Sequence, residues 1–271
     1  MTHTTTPLKL HYDCLGHGPN VLLAFHGVGQ TGRRCYEPFA RHLGHYYTIY
    51  AFDLFHHGQS KGVSGSDDFS DADVLTRALW KDLIQKFIKE KNIVRFDVVG
   101  FSLGGRYALA TAEAFSEHLE RLILIAPDGV VDHPLFGIAT RFAPTRGLYR
   151  RLSDNPQPLF AAADLAQRAR ILPEKMVSFV RYAMGTAEQR RRIYRSWVSL
   201  RELSFNIAKL HAQLKRNGVE VWLFVGKYDP VIVPAKLKLL SERLPEKHFF
   251  VLESGHGGLV ERAALVMKQK E

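Results

Sequence analysis

Apolar residues in this chain gather into short, unbroken runs rather than alternating with polar ones. Six such runs stand out: NVLLAFHG (20–27), YYTIYAFDL (46–54), RFDVVGFS (95–102), RLILIAPDG (121–129), VEVWLFVGKYD (219–229) and KHFFVLESGH (247–256). Each is rich in Val, Ile, Leu and Phe and ends in polar or glycine residues, the signature of a buried strand. Continuous runs predict strands covered on both faces, as in a parallel sheet. Helical patterns lie between them. In 70–91, Ser70 and Asp73 form an S-x-x-D capping box ahead of an apolar face made by Val74, Ala78, Trp80, Leu83, Ile84, Phe87 and Ile88. Residues 102–115 supply another helix, with Tyr107, Leu109, Ala110 and Ala114. Strand–helix alternation predicts right-handed βαβ units and an α/β fold, a mostly parallel sheet flanked by helices.

The rhythm breaks after residue 131. From 132 to 218 no strand-like run survives. In 173–184, Met176, Phe179, Val180 and Ala183 share one helical face, and in 187–200 Ile193, Trp197 and Leu200 share another. The pattern predicts an inserted all-helical cap over 132–218, with the α/β core built from 1–131 and 219–271.

Charge sharpens this division. The cap segment holds 16 of the 37 Lys and Arg but only 6 of the 27 Asp and Glu, so it carries the whole net charge of +10. A solvated helical surface would suffice to explain this. The functional readings are attraction of an anionic substrate or peripheral contact with an anionic membrane surface. Basic residues interleaved with Leu, Phe, Trp and Met at helical spacing, without a nucleic-acid-binding module, argue against nucleic acid as a partner. With 46% hydrophobic residues the chain can bury a substantial core, and no run reaches the roughly 18 apolar residues of a membrane span. The start lacks the pattern of a secretion signal, and Cys14 and Cys35 fit neither a metal site nor a disulfide framework, so a cytoplasmic protein is expected. No cofactor and no metal site are expected.

Candidate chemistry centres on Gly100-Phe101-Ser102-Leu103-Gly104, a G-x-S-x-G placed between a strand and a helix. A serine on a strained turn exposes its hydroxyl, and the flanking glycines keep Cβ atoms out of the strand–helix corner. Serine needs a base, and the base needs an orienting carboxylate. Asp229 follows the fifth apolar run and His256 the sixth, so Ser102, Asp229 and His256 are each expected at the carboxyl end of a strand and hence on one edge of the sheet.

The elbow, the order Ser–Asp–His and two further loops together resemble the α/β-hydrolase family over essentially the whole chain. FHGVGQTG (25–32) is similar to that family's His-Gly loop. The resemblance implies the backbone N–H groups of Val28 and Leu103 as an oxyanion hole. DLFHHGQS (53–60) resembles the family's D-x-x-G-H-G-x-S turn, with Phe55 and His56 where Pro and Gly are usual. The activity implied is that of a serine hydrolase acting on a carboxylic ester or thioester, a small-molecule acyl substrate, with Phe, Leu and Met of the cap lining an acyl pocket.

Several alternatives stay open at this level. Asp128, after the fourth run, is a rival acid to Asp229. His26, a candidate substrate contact, is also a candidate loop-shaping residue, as are His56 and His57. Arg106 sits at the unfavourable end of a helix dipole. It answers either to a structural salt bridge or to a clamp on a substrate carboxylate, for GFSLGGR resembles the elbow of a pyruvate-eliminating lyase. A lyase or carbon–carbon hydrolase on an anionic substrate is therefore the second reading, and a non-catalytic ligand-binding relative the third.

Overall fold

A computed structural model describes residues 9–66, 68–131, 134–172 and 174–271, the side chains of 134, 135, 175, 176, 179, 180 and 183 excepted. Among the described residues the chain forms seven strands: β1 (Tyr12–Gly16), β2 (Asn20–Phe25), β3 (Tyr47–Phe52), β4 (Phe96–Phe101), β5 (Leu119–Ile125), β6 (Glu220–Gly226) and β7 (Phe249–Leu252). They make one sheet in the order β1-β3-β2-β4-β5-β6-β7, parallel throughout except for β1 against β3. All six apolar runs contain a strand. The seventh, β1, reads as no such run because its YDCLG is half polar. It lies at the sheet edge, where one face and one row of backbone groups meet water. β7 is the opposite edge and departs from the expected full burial: Phe249 and Phe250 are half-buried and Val251 is exposed.

The helices are α1 (Gly32–Leu43), α2 (Arg77–Glu90), α3 (Gly104–Phe115), α4 (Pro134–Arg141), α5 (Ala143–Asp154), α6 (Gln157–Arg168), α7 (Glu174–Ala183), α8 (Ala187–Ser199), α9 (Ile207–Arg216), the single turn α10 (Lys238–Ser241) and α11 (Leu259–Lys268). Because side chains alternate along a strand, β2 sends Leu23 and Phe25 to one face and Leu22 and Ala24 to the other. The first face packs against α2, α3 and α9, and the second against α1 and α11. Helix α3 lies so deep that ten of its twelve residues are buried.

Three local expectations are corrected. The Ser70–Asp73 pair does form, with the Ser70 N–H donating to Asp73 Oδ2, but it closes a turn rather than a helix. Helix α2 begins at Arg77, where Thr76 Oγ1 accepts the Leu79 N–H. The intervening chain is drawn out because Leu75 is buried and its N–H donates to the Ser199 carbonyl. In α8 the buried positions are Arg190, Tyr194, Ser196, Val198 and Ser199, and Leu200 just beyond is buried as expected, while Ile193 and Trp197 are half-buried. The reason is tertiary: Trp197 lies on the neighbouring side, stacked edge-on against Phe136. The apolar face expected from Met176, Phe179, Val180 and Ala183, and the expected cap start at 132, fall outside the described residues.

Between β5 and β6 the described chain forms helices joined by loops, with no strand among the described residues. The end of this segment differs from the boundary expected at 218, because α9 packs on α3 and β6 and places Ile207, Leu210 and Leu214 in the sheet's own core. The helices that pack chiefly among themselves are therefore α4 to α8. Asp71 ties them to the core. Its Oδ1 accepts from the Tyr194 hydroxyl at 2.9 Å, its Oδ2 from Arg146 Nε at 3.2 Å, and its carbonyl from Arg201 at 2.7 Å. Replacing Asp71 by Ala is expected to cost about 1–2 kcal/mol in urea unfolding. It should also speed proteolysis within 134–200 more than in the sheet, and unchanged cleavage there would refute this anchoring role.

Candidate active site

The strand order reverses direction between β2 and β4, and the loops leaving these two strands diverge from a common crevice at the sheet's carboxyl edge. Phe25 pairs with Gly100 in register, so the 26–31 loop and the Ser102 turn lie side by side. Ser102 has φ of 52°, a left-handed conformation that costs a non-glycine residue about 1–2 kcal/mol. Three backbone bonds hold it there. Its N–H donates to the Ile125 carbonyl at 3.0 Å, and its own carbonyl accepts from Gly105 and Asp128, each at 2.8 Å. The turn leaves no room for side chains. A Cβ on Gly100 would stand 2.7 Å from that of Ala108, one on Gly104 would strike the Phe25 carbonyl, and one on Gly105 would stand 2.7 Å from the Pro127 Cβ. Gly105 was not among the glycines the motif singled out, and only its approach to the chain after β5 reveals why it is needed.

Ser102, Asp229 and His256 come together from three strand ends. His256 Nδ1 lies 2.6 Å from Asp229 Oδ2, and His256 Nε2 lies 3.0 Å from Ser102 Oγ. The Asp229 side chain is fully buried and its other oxygen accepts the N–H groups of Val231 and Ile232 at 2.8 and 3.0 Å. Both oxygens are thus directed, which fixes the imidazole plane. Phe101 packs against the His256 ring, with centroids 4.9 Å apart. Neither the Val28 nor the Leu103 N–H donates to another described residue, and Leu103 stands at the start of α3, where the helix dipole is positive.

The rival acid is occupied. Arg106 is fully buried, and its Nε and one terminal nitrogen donate to the two oxygens of Asp128 at 2.7 and 3.1 Å. The other terminal nitrogen donates to the Leu203 carbonyl at 2.7 Å, and the guanidinium lies 4.1 Å from the Phe136 ring centroid. Of the two readings of Arg106 the structure shows the salt bridge. The expectation of a substrate contact is corrected, because every face of the group is already engaged.

His26 is corrected in the same way. It is fully buried, its Nδ1–H donates to the Gly27 carbonyl at 2.6 Å, and its Nε2 accepts the Leu54 N–H at 3.0 Å. It shapes the Val28 loop rather than meeting a ligand. Burial pushes its pKa down to about 4, and burial likewise holds His57 well below the usual histidine range. In the 53–60 turn, Asp53 accepts the N–H groups of Gly32 and Gln59, fastening the start of α1. His56 adopts φ of 66°, the conformation for which glycine is usual at that position, and its Nε2 meets Ser199 Oγ at 3.1 Å. Sequence reasoning missed a further feature. Two clefts beside α8 are rich in arginine, the first with Arg150, Arg191 and Arg195 beside Phe69 and Tyr194, the second with Arg191, Arg192 and Arg195 beside His56 and Glu188. Among the described residues there is no group of three metal-ligating side chains, and no helix is long and apolar enough to cross a membrane.

Known proteins share this architecture. The sequence profile of a family described as "Alpha/beta hydrolase family" matches residues 21–269. An uncharacterised protein of Mycobacterium tuberculosis is 34% identical over 115 residues, which cover 42% of this chain and 31% of that one. The match thus spans about a third of the length of such curated relatives. Among solved structures, a thermophilic esterase from Thermogutta terrifontis superposes with a TM-score of 0.66 at 20% identity, covering 98% of this chain and 95% of its own. An enol-lactonase from Burkholderia xenovorans gives 0.61 at 17% identity, covering 97% and 96%. At such identities the likeness is one of fold.

Two outcomes follow from the buried supports. Arg106→Met strands a carboxylate and is expected to destabilise the protein by about 3 kcal/mol in urea unfolding, with partial recovery in the double variant that also carries Asp128→Leu. Equal stability of single variant and parent would refute it. For His26, the unfolded chain takes up a proton before the folded one does. Stability should therefore fall as pH drops from 6.5 toward 4, by about 3 kcal/mol from this group alone. His26→Asn, which keeps both hydrogen-bond roles, should flatten that acid limb; an unchanged slope would count against the assignment.

Proposed function

Since the chain belongs to the alpha/beta hydrolase family, we propose that it is a serine hydrolase cleaving a carboxylic ester or thioester through an acyl-enzyme. The observation that carries this reading is the unbroken line from Ser102 Oγ through His256 to Asp229, at 3.0 and 2.6 Å. In the proposed cycle His256 Nε2 takes the Ser102 proton as Oγ attacks the acyl carbon, then delivers it to the leaving oxygen or sulfur. The same nitrogen next removes a proton from water, whose attack releases the acid and restores Ser102. Asp229 holds the Nδ1–H tautomer and stabilises the imidazolium. The unpaired amides of Val28 and Leu103 would receive the developing oxyanion, each contributing about 3 kcal/mol to the barrier reduction.

Helices α4 to α8 are assigned the role of a cap over this edge, tethered through Asp71 and through the Ser199 carbonyl that holds Leu75. The reading with Arg106 as a carboxylate clamp loses its support, because that guanidinium is already paired with Asp128. A non-catalytic role is opposed by a strained serine kept in line with a base and an acid, an arrangement that ligand binding alone does not require.

Hydrolysis of p-nitrophenyl esters from acetate to palmitate tests the proposal. Ser102→Ala should lower kcat on the order of 10⁴-fold or more, with the fold intact by circular dichroism. Activity on these esters that survives Ser102→Ala would refute the nucleophile.

A further inference from the structure

Helices α5 and α8 pack side by side and leave between them a cleft of about 270 Å³, lined also by Phe69 from the loop before α2. Its polar lining is lopsided. Arg150 comes from α5, while Arg191 and Arg195 come from α8, four residues apart and so on one face. None of the three has an acidic partner among the described residues, although nearby pairs such as Arg192–Glu188 and Arg146–Asp71 are formed. Arg195 lies over the Phe69 ring at 5.9 Å. Like charges at this spacing repel, and a helix that needed only solubility would interleave acids. Arg191 and Arg195 also line the adjoining cleft of about 200 Å³ toward His56, so they form the ridge between the two.

A second observation is independent of charge. Ser153, also in the lining, is only 3% exposed, and its Oγ has no hydrogen-bond partner among the described residues. A buried hydroxyl without a partner costs about 1–3 kcal/mol, so its persistence in a cationic cleft points to a ligand that accepts from it. One acid, Asp154, stands in the lining, so three guanidiniums against one carboxylate leave two positive charges. A carboxylate would neutralise one of these. A phosphate monoester carries close to two negative charges at neutral pH and has three acceptor oxygens, enough for paired guanidinium contacts and a hydroxyl. The rings of Phe69 and Tyr194 supply apolar walls beside it.

We propose that the α5–α8 cleft is a binding site for a phosphate group, with Arg150, Arg191 and Arg195 as its cationic contacts and Ser153 Oγ as a neutral donor. The site goes beyond the hydrolytic reading and does not depend on it, because the test reads binding rather than turnover.

Isothermal titration of the full chain at fixed ionic strength, with phenyl phosphate, inorganic phosphate and benzoate as probes, decides the matter. Phenyl phosphate should bind about tenfold or more tightly than benzoate, and the variant carrying Arg150→Gln and Arg195→Gln should lose about tenfold in affinity. Ser153→Ala should weaken binding several-fold, and Asp154→Asn should strengthen it. Inorganic phosphate binding as tightly as phenyl phosphate would assign the site to the free ion, and weaker binding would assign it to a phosphorylated organic molecule. The proposal is overturned if neither phosphate binds at matched ionic strength, if benzoate binds equally well, or if the double arginine variant, shown folded by its unchanged thermal midpoint, binds like the parent.

Discussion

The close approach of α3 to the end of β2 is the constraint on which the rest depends. Gly104 sits against the Phe25 carbonyl, and Gly105 against Pro127 and the Asp128 carbonyl. The chain passes from β4 into this corner through Ser102, whose φ of 52° lies in the left-handed region, one residue before the right-handed Leu103 at the start of α3. The unfavourable φ of Ser102 is offset by three backbone bonds, one to β5, one to the loop beyond it and one from Gly105 in α3. The strain therefore belongs to the packing of three segments and would not persist in the isolated peptide. The same corner leaves the Leu103 amide at the start of α3, next to the Ser102 hydroxyl.

Around this corner the buried polar groups act as fixed struts. Arg106 binds Asp128 and the Leu203 carbonyl, joining α3, the chain after β5 and the chain before α9. His26, neutral because it is buried, joins the Val28 loop to Leu54. Asp53 fastens the turn at 53–60 to α1. Each is fully satisfied, so none is left to meet a ligand, and each carries a specific geometry that an apolar replacement would lose. Among the described residues the buried side-chain atoms without a partner are His57 Nε2, beside His26, and the Ser153 and Ser196 hydroxyls in the helical segment.

The helical segment obeys a different rule from the sheet. Its aromatic residues Phe136, Tyr149, Tyr194 and Trp197 stack on one another, while Phe142, Leu148, Leu165 and Ile171 are exposed. Its attachment to the core runs largely through polar contacts at Asp71 and Ser199 rather than through a continuous apolar seam. Such attachments open at lower free energy than a core.

Much was legible in the sequence because it is written in consecutive residues. Unbroken apolar runs marked the six inner and nearby strands, the glycines around Ser102 marked the elbow, and the order of Ser102, Asp229 and His256 after three runs marked the shared edge. Edge strand β1 escaped because its half-polar pattern is what exposure of one side demands. Position along the chain carries no record of which polar groups become partners. Asp128 and Asp229 each follow a strand, yet one pairs with Arg106 and the other with His256. Likewise Arg106, Arg150, Arg191 and Arg195 are alike as letters, but one is enclosed in a salt bridge and three line a cleft that holds a single acid, Asp154, with which none of them forms an ion pair among the described residues. Local pattern thus determined the elements, the elbow and the candidate triad, since periodicity and turn sterics act between neighbours. Tertiary structure alone decided which aspartate pairs with His256 and which with Arg106, the burial of Arg106 and His26 and the cationic cleft, since burial and ion pairing depend on distances that only the folded chain sets.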